Sequence, residues 1–377
     1  MTSIIRGSDD FDSADKSFAP TTVTGTTPSL DVGTYNFFDN GTLSADTTVS
    51  FASVPTEADW RYSFIVSLVS GAWDVSTSTL LQKFSVTNQE ASPGDLFFKP
   101  DGLKMYMIGS ATGDNVYEYN LSTAWDVTTA SYLQAFSVAT QESLPSGLFF
   151  KPDGTKMYVT GTSGDDVNEY NLSTAWNVTT ASYLQTFSVA AQEAWPNAVF
   201  FKPDGTKMYI VGLGSPVGDN VYEYNLSTAW NVTTASYSQA FSIATQESNG
   251  SGLFFRSDGL KMYVTGTTGD NVYEYNLSTA WNVTTASYSQ AFSVYADDTS
   301  PTGVFFKPDG LKMYIVGYGF DNIYQYSLGI PSVVTLPASV VGIFTAFKST
   351  TIGYRVTYEF FTLDGGTTAT LIGEQIV

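Results

Sequence analysis

The chain has 377 residues, 16 basic and 36 acidic, giving a formal net charge of −20, and it contains neither cysteine nor histidine. Those absences exclude disulfides, thiolate chemistry and imidazole acid–base or metal chemistry. The acidity argues against nucleic-acid and anionic-membrane partners. Aromatic residues make up 15% of the chain, and Thr, Ser, Gly and Val are abundant, which is an all-β composition.

Residues 1–30 are polar, rich in Asp, Ser and Thr, and without periodicity. They read as an N-terminal arm that is ordered only against a partner. Met1 to Ala19 has no apolar h-region, so no secretory leader is expected, and no apolar run reaches transmembrane length. Residues 31–70 turn strand-like: Tyr35-Asn36-Phe37-Phe38, a turn at Asn40-Gly41, alternation over Thr47, Val49 and Phe51, then Tyr62, Phe64, Val66 and Leu68.

Residues 71–328 hold five near-copies of one unit. Phe-Phe-x-x-Asp-Gly ends at Gly102, Gly154, Gly205, Gly259 and Gly310, and Ala-Trp-Asp/Asn recurs at Trp73, Trp125, Trp176, Trp230 and Trp281. Both landmarks advance by the same steps of roughly fifty residues, the period of a propeller or related β array. Within a unit, an apolar run (strand A) precedes Lys-Pro-Asp-Gly, a hairpin turn signal. A Lys-Met-Tyr strand (B) follows, then a Gly/Ser/Asp loop, a third strand (C), a longer connection carrying the Trp, and a fourth strand (D). The first D strand, Leu80–Val86, precedes the first A strand, and the last C strand has no D strand after it. A closed ring lets Leu80–Val86 complete the fifth blade and removes the open sheet edges. The expectation is a five-bladed β-propeller.

Residues 329–377 return to strand patterns: Val333-Val334-Thr335-Leu336-Pro337, alternation over Tyr354–Phe361, and a hairpin signal at Asp364-Gly365-Gly366. Each flank is short for a core of its own. Residues 31–70 and 329–377 are therefore expected to form one small β-sandwich into which the propeller is inserted.

The repeats also differ in an ordered way. The A–B turns and C–D connections are nearly constant, whereas the D–A and B–C loops vary, and the third B–C loop, carrying Ser215-Pro216-Val217, is the longest. In an up-and-down blade these two pairs of connections lie on opposite faces. Variable loops on a rigid scaffold are where recognition usually sits, so Trp195, Tyr295, Tyr318 and Phe320 are the candidate ligand contacts. Asp114, Asp165, Asp219, Asp270 and Asp321 recur in the B–C loops, and Glu90, Glu142, Glu193, Glu247 and Asp298 in the D–A loops. Oxygen ligands of this kind suit Ca²⁺, so the five B–C aspartates are the candidate metal ligands. The competing reading is turn chemistry, Asp bonding its own backbone. No other cofactor is implied.

No nucleophile–base arrangement, phosphate loop or zinc spacing is present, and a catalytic carboxylate pair would break the fivefold repetition. The chain reads as a non-enzyme. The Asn-Leu-Ser and Asn-Val-Thr sequons read as turn chemistry, and the five Trp as blade packing.

The flanks carry a resemblance. Asn40-Gly41-Thr42-Leu43-Ser44-Ala45-Asp46-Thr47-Thr48-Val49-Ser50-Phe51, Val334-Thr335-Leu336-Pro337-Ala338-Ser339-Val340 and Phe361-Thr362-Leu363-Asp364-Gly365-Gly366-Thr367-Thr368 resemble a small β module of tailed-bacteriophage virion proteins, especially marine ones, often tail-fibre or appendage proteins. Here the module is split by the repeats, and Leu336 stands where a Trp commonly precedes the Pro. The resemblance implies a structural protein at the virion surface: a tail-fibre or appendage adhesin whose propeller recognises a host-surface glycan or protein. The arm and base would dock onto other virion proteins. By analogy it allows a homotrimer, although no coiled-coil heptads are present. A capsid decoration or head-fibre protein is the first alternative, and a propeller-type carbohydrate-active or lactonase-like enzyme the second.

Overall fold

The computed structural model describes residues 73–213 and 219–328 in full, together with the backbone of the strands in both flanks. The chain divides into two compact units, Met1–Ser70 with Ile330–Val377, and Gly71–Gly329. Most of the arm over residues 1–30 and the loop Ser215-Pro216-Val217 lie outside the described residues.

The second unit is an all-β, five-bladed propeller. Blade 1 has strands A Pro93–Phe98, B Lys104–Gly109, C Asn115–Leu121 and D Ala130–Ser137. Blade 2 has Pro145–Phe150, Lys156–Gly161, Asp166–Leu172 and Ala181–Ser188. Blade 3 has Pro196–Phe201, Lys207–Gly212, Asn220–Leu226 and Ala235–Ser242. Blade 4 has Gly250–Phe255, Lys261–Gly266, Asn271–Leu277 and Ala286–Ser293. Blade 5 takes A, B and C from Pro301–Phe306, Lys312–Gly317 and Asn322–Ser327, and its D strand from Thr79–Ser85 at the other end of the repeats. Thr79–Ser85 pairs antiparallel with Asn322–Ser327, Ser85 opposite Asn322 and Thr79 opposite Ser327, so the ring closes as expected.

Burial falls from axis to rim, and the sequence follows it. Strands A and B are covered on both faces and read as near-continuous apolar runs, whereas strand D is an edge with half-exposed and exposed positions. On the axis, Phe97, Phe149, Phe200, Phe254 and Phe305 close a pentagon. Neighbouring rings meet edge to face with centroids 5.2–5.4 Å apart, a geometry favoured by the ring quadrupole. The second Phe of each run turns between blades: Phe150 lies 4.5 Å from Tyr106 of blade 1 and 5.7 Å from Trp176 of its own blade.

The two sequence landmarks meet in space. The backbone N–H of Trp125 donates to the Gly102 carbonyl at 3.0 Å, and the equivalent bond forms in all five blades, Trp73 to Gly310 included. Each Trp takes φ of 62–67°, a region few non-glycine residues occupy, and its carbonyl accepts the Tyr hydroxyl of the preceding blade, as in Tyr106 to Trp176 at 2.7 Å and Tyr314 to Trp125 at 2.8 Å. A buried C-strand carboxylate adds a second tie. Glu118 pairs with Lys104, accepts from Gln134 at 2.9 Å, and accepts the N–H of Val178 in blade 2 at 3.1 Å. Glu169, Glu223 and Glu274 repeat this toward Val232, Val283 and Val75. In blade 5 the position is Gln325, which accepts from Val127 at 3.1 Å.

In the first unit, strands from both flanks share one six-stranded mixed sheet, in the order Thr21–Thr22, Phe37–Leu43, Trp60–Leu68, Arg355–Thr362, Ala369–Ile376, Val340–Val341. The register shifts between Asp39 and Thr42. Asn40-Gly41, read from the sequence as a turn, is thus a bulge within one strand, a place where glycine is also favoured.

Candidate functional site

The variable D–A and B–C loops share one face of the disc, and carboxylates built into the blades hold them. Glu90 is fully buried; it accepts the N–H groups of Ser92 at 2.8 Å in its own loop and Ala111 at 2.9 Å in the B–C loop. Glu142 does the same with Leu144 and Gly164, Glu247 with Asn249 and Gly269, and Asp298 with Ser300 and Gly319. Glu193, also buried, accepts from Trp195 at 2.9 Å. A buried carboxylate needs such donors, and Glu90, Glu142, Glu247 and Asp298 turn inward as staples between two loops, away from solvent.

The B–C aspartates close the tight turns into strand C. Asp114, Asp165, Asp270 and Asp321 adopt φ of 50–51°, a left-handed region that Asp tolerates. The backbone carbonyls of all five B–C aspartates accept from the N–H groups just past strand D, those of Val138, Val189, Ile243, Val294 and Val86, at 2.8–2.9 Å. Among the described residues no three acidic side chains converge as a metal site requires. The carboxyls of Asp114, Asp219, Asp270 and Asp321 are pushed upward in pKa, first by partial burial and then by neighbouring acids: Glu90 for Asp114, Glu247 for Asp219, Glu247 and Asp298 for Asp270, Asp298 and Glu90 for Asp321. The face is thus a field of like charge.

The opposite face is balanced. All nine described ion pairs lie there, Lys99–Asp101 and Lys104–Glu118 in blade 1 and their counterparts around the ring. Asp126, Asn177, Asn231, Asn282 and Asp74 cap single 3-10 turns on this side, each accepting from the residue two positions on. The sequon asparagines of Asn-Val-Thr therefore do perform turn chemistry. The ten variable loops, by contrast, carry eleven carboxylates and no Lys or Arg.

The four aromatic candidates are all exposed: Trp195 46%, Tyr295 64%, Tyr318 53% and Phe320 58%. Three of them belong to blade 5. Tyr318 and Phe320 occupy its B–C loop, and Tyr295 begins the loop entering its strand A. Trp195 stands on blade 3.

One feature of the axis escapes a reading by loops. At the third residue of strand A, four blades have Gly147, Ala198, Gly252 and Gly303, and blade 1 has Asp95. Asp95 is 6% exposed and lines an axial cavity with Phe97, Phe149, Phe200, Phe254 and Phe305. One residue earlier, Ser146, Asn197, Ser251 and Thr302 each donate to the carbonyl of the next blade at Pro196, Gly250, Pro301 and Pro93. Gly94 cannot, and the Asp95 carboxylate instead accepts the Leu148 N–H of blade 2 at 3.1 Å and its neighbour Leu96 N–H at 2.8 Å. Burial pushes its pKa up to about 8 against the opposing pull of those two bonds. Aligning the five copies at this column is the signal that would have found it.

No family model matches the chain, and no curated protein does. Solved structures share the general form at low identity. A protein from Lactobacillus plantarum is 14% identical with a TM-score of 0.40, over 74% of this chain and 74% of that one. A protein from Bacteroides uniformis ATCC 8492, proposed to be a 6-phosphogluconolactonase, is 13% identical with a TM-score of 0.38, over 74% and 72%. The β-propeller domain of Cps50 (Swd1) from Myceliophteria thermophila is 9% identical with a TM-score of 0.37, over 62% and 68%. No activity or partner transfers from likenesses this distant.

Proposed function

We propose that this is a non-enzymatic recognition protein of a tailed-phage virion, a tail-fibre or appendage adhesin, with the propeller's variable face as its contact surface. The observation that carries the reading is the comparison of five blades within one ring. Residues that join blades are repeated nearly without change, whereas exposed aromatic residues are placed unevenly on the loops of one face. The framework is therefore constrained by folding and that face by something else. The virion assignment rests on the flanking motifs. In this reading the flanks form the sandwich into which the propeller is inserted, and with the arm they dock to other virion subunits. Oligomerisation, for instance as a trimer, would multiply weak contacts into avidity.

Immunogold labelling of intact particles with antibody against residues 80–328 tests this. Label at the tail end is the expected result. Label over the head would favour decoration of the capsid, and unlabelled particles would defeat surface display and return attention to the enzyme alternative.

A further inference from the structure

The structure points further, to the class of partner. We propose that the blade 5 corner of the variable face docks an arginine-rich segment of a protein partner. This rests on the reading of that face as a recognition surface.

At three loop positions blade 5 alone carries an exposed aromatic ring, and none of these three rings serves packing. Tyr295 stands where the other blades have Thr87, Ala139, Ala190 and Ala244. Tyr318 replaces Ser110, Thr162, Leu213 and Thr267. Phe320 replaces glycine in every other copy, Gly113, Gly164, Gly218 and Gly269. Four blades fold without these rings, and in the fifth all three remain more than half exposed. The two loops that carry them are one rigid piece. Asp298 accepts the N–H groups of Ser300 at 2.8 Å, Gly319 at 3.0 Å and Phe320 at 3.2 Å, and the Tyr318 N–H donates to the Ser300 carbonyl at 3.0 Å.

Charge selects among the occupants such a patch could take. Acidic residues lie around and beneath it: Asp297 half-buried and Asp298 buried in one loop, and Asp321 next to Phe320; the ten loops carry no basic residue, and the basic residue of the adjoining D strand is Lys83, opposite Tyr324. The self-repulsion is visible in the raised pKa of Asp321, caused first by burial and then by Asp298 and Glu90. Phosphorylated or carboxylated ligands are repelled. A neutral sugar could stack on the rings and donate its hydroxyls to carboxylates, but it gains nothing from the long-range field of the face. A guanidinium uses both features, because it stacks flat on aromatic faces and carries a charge that acidic surroundings attract over distance. A run of arginines satisfies the trio and the field together.

The test uses the purified full chain and a fluorescent deca-arginine peptide, with a Gly/Ser peptide of equal length as control, at 50 and 300 mM NaCl. The variant Tyr295→Ala/Tyr318→Thr/Phe320→Gly installs sister-blade residues and keeps every carboxylate; an unchanged thermal melt verifies its fold. Deca-arginine is expected to bind at low salt, to bind more tightly than deca-lysine, and to weaken about tenfold in the triple variant. Leu144→Ser, an exposed change on blade 2, should bind as the unaltered chain does. The proposal is overturned if the triple variant binds equally well, which would leave only diffuse acidity. It is also overturned if deca-arginine does not bind at 50 mM NaCl, or if neutral oligosaccharides bind at the trio without salt dependence. Because the assay needs no virion, its failure is separable from failure of the labelling experiment.

Discussion

The indole of Trp176 lies over Gly154 so closely that a Cβ built on the glycine would fall 2.4 Å from the ring. Gly154 has φ of 74°, and the Trp176 N–H donates to its carbonyl at 3.0 Å. Gly154→Ala therefore meets two obstacles at once: a left-handed backbone, costing about 1–2 kcal/mol, and a collision that displaces the residue joining blades 1 and 2. A loss of about 3 kcal/mol or more is expected in urea unfolding, with altered tryptophan fluorescence. A loss under about 1 kcal/mol would mean that the Trp is not a keystone.

Asp95 predicts a pH effect. The folded protein holds this carboxyl protonated up to about pH 8, whereas the unfolded chain ionises near the ordinary value. Between those limits the unfolded state binds fewer protons, so its contribution to stability falls as pH rises, by about 1.4 kcal/mol per unit at most. Asp95→Asn does not titrate. The stability of the unaltered chain minus that of the variant should decline between pH 5 and pH 7.5, and parallel profiles would refute the assignment.

The fifth inter-blade tie invites a gain of stability. Lys312 holds the position from which Lys104, Lys156, Lys207 and Lys261 pair with a strand C glutamate, and in blade 5 that glutamate is replaced by Gln325, opposite Tyr314. Lys312 donates to the Trp125 carbonyl at 3.0 Å, and its pKa is lowered by burial and then by Lys307. Blade 4 accommodates Glu274 beside Asp74 through their shared donor Gln290, so Gln325→Glu beside Asp126 has a precedent in the same ring. An increase of about 1 kcal/mol at pH 7 is expected from chemical denaturation. A decrease would show that Asp126 already balances Lys312.

The closing seam should be the first to open. In blades 1–4 a short covalent connection joins strands C and D, whereas in blade 5 the ladder between Asn322–Ser327 and Thr79–Ser85 joins opposite ends of the repeat array. Opening it releases the entropy of a closed ring, which the other ladders cannot do. Hydrogen exchange by mass spectrometry should find the amides of Thr79–Ser85 exchanging severalfold faster than those of Ala181–Ser188. Equal protection would mean that the ring opens only by global unfolding.

Much of this architecture was legible because it is local or repeated. The Pro-Asp-Gly turns, the alternation within strands and the fivefold spacing each carry a short-range signal, and the unpaired first D strand implied closure. The direction of a side chain carries no such signal. Glu90 and Asp114 recur with equal regularity, yet Glu90 turns inward onto backbone N–H groups and Asp114 serves first through its left-handed turn. The glutamates of strand C read as ordinary polar positions, and their burial between blades depends on a neighbour about sixty residues away.

By itself the sequence determined the number of blades, the strand that closes them and the face on which the loops vary, because period, turn chemistry and the differences among copies are properties of the chain read along its length. Only the tertiary structure decided that Phe97 and its four counterparts plug the axis, that Asp95 stands in for the side-chain link to the next blade that Gly94 cannot make, and that the two repeated landmarks, Gly and Trp, are one contact. Those facts arise when strands distant in sequence converge on a common axis, and burial there fixes which polar atoms must find partners.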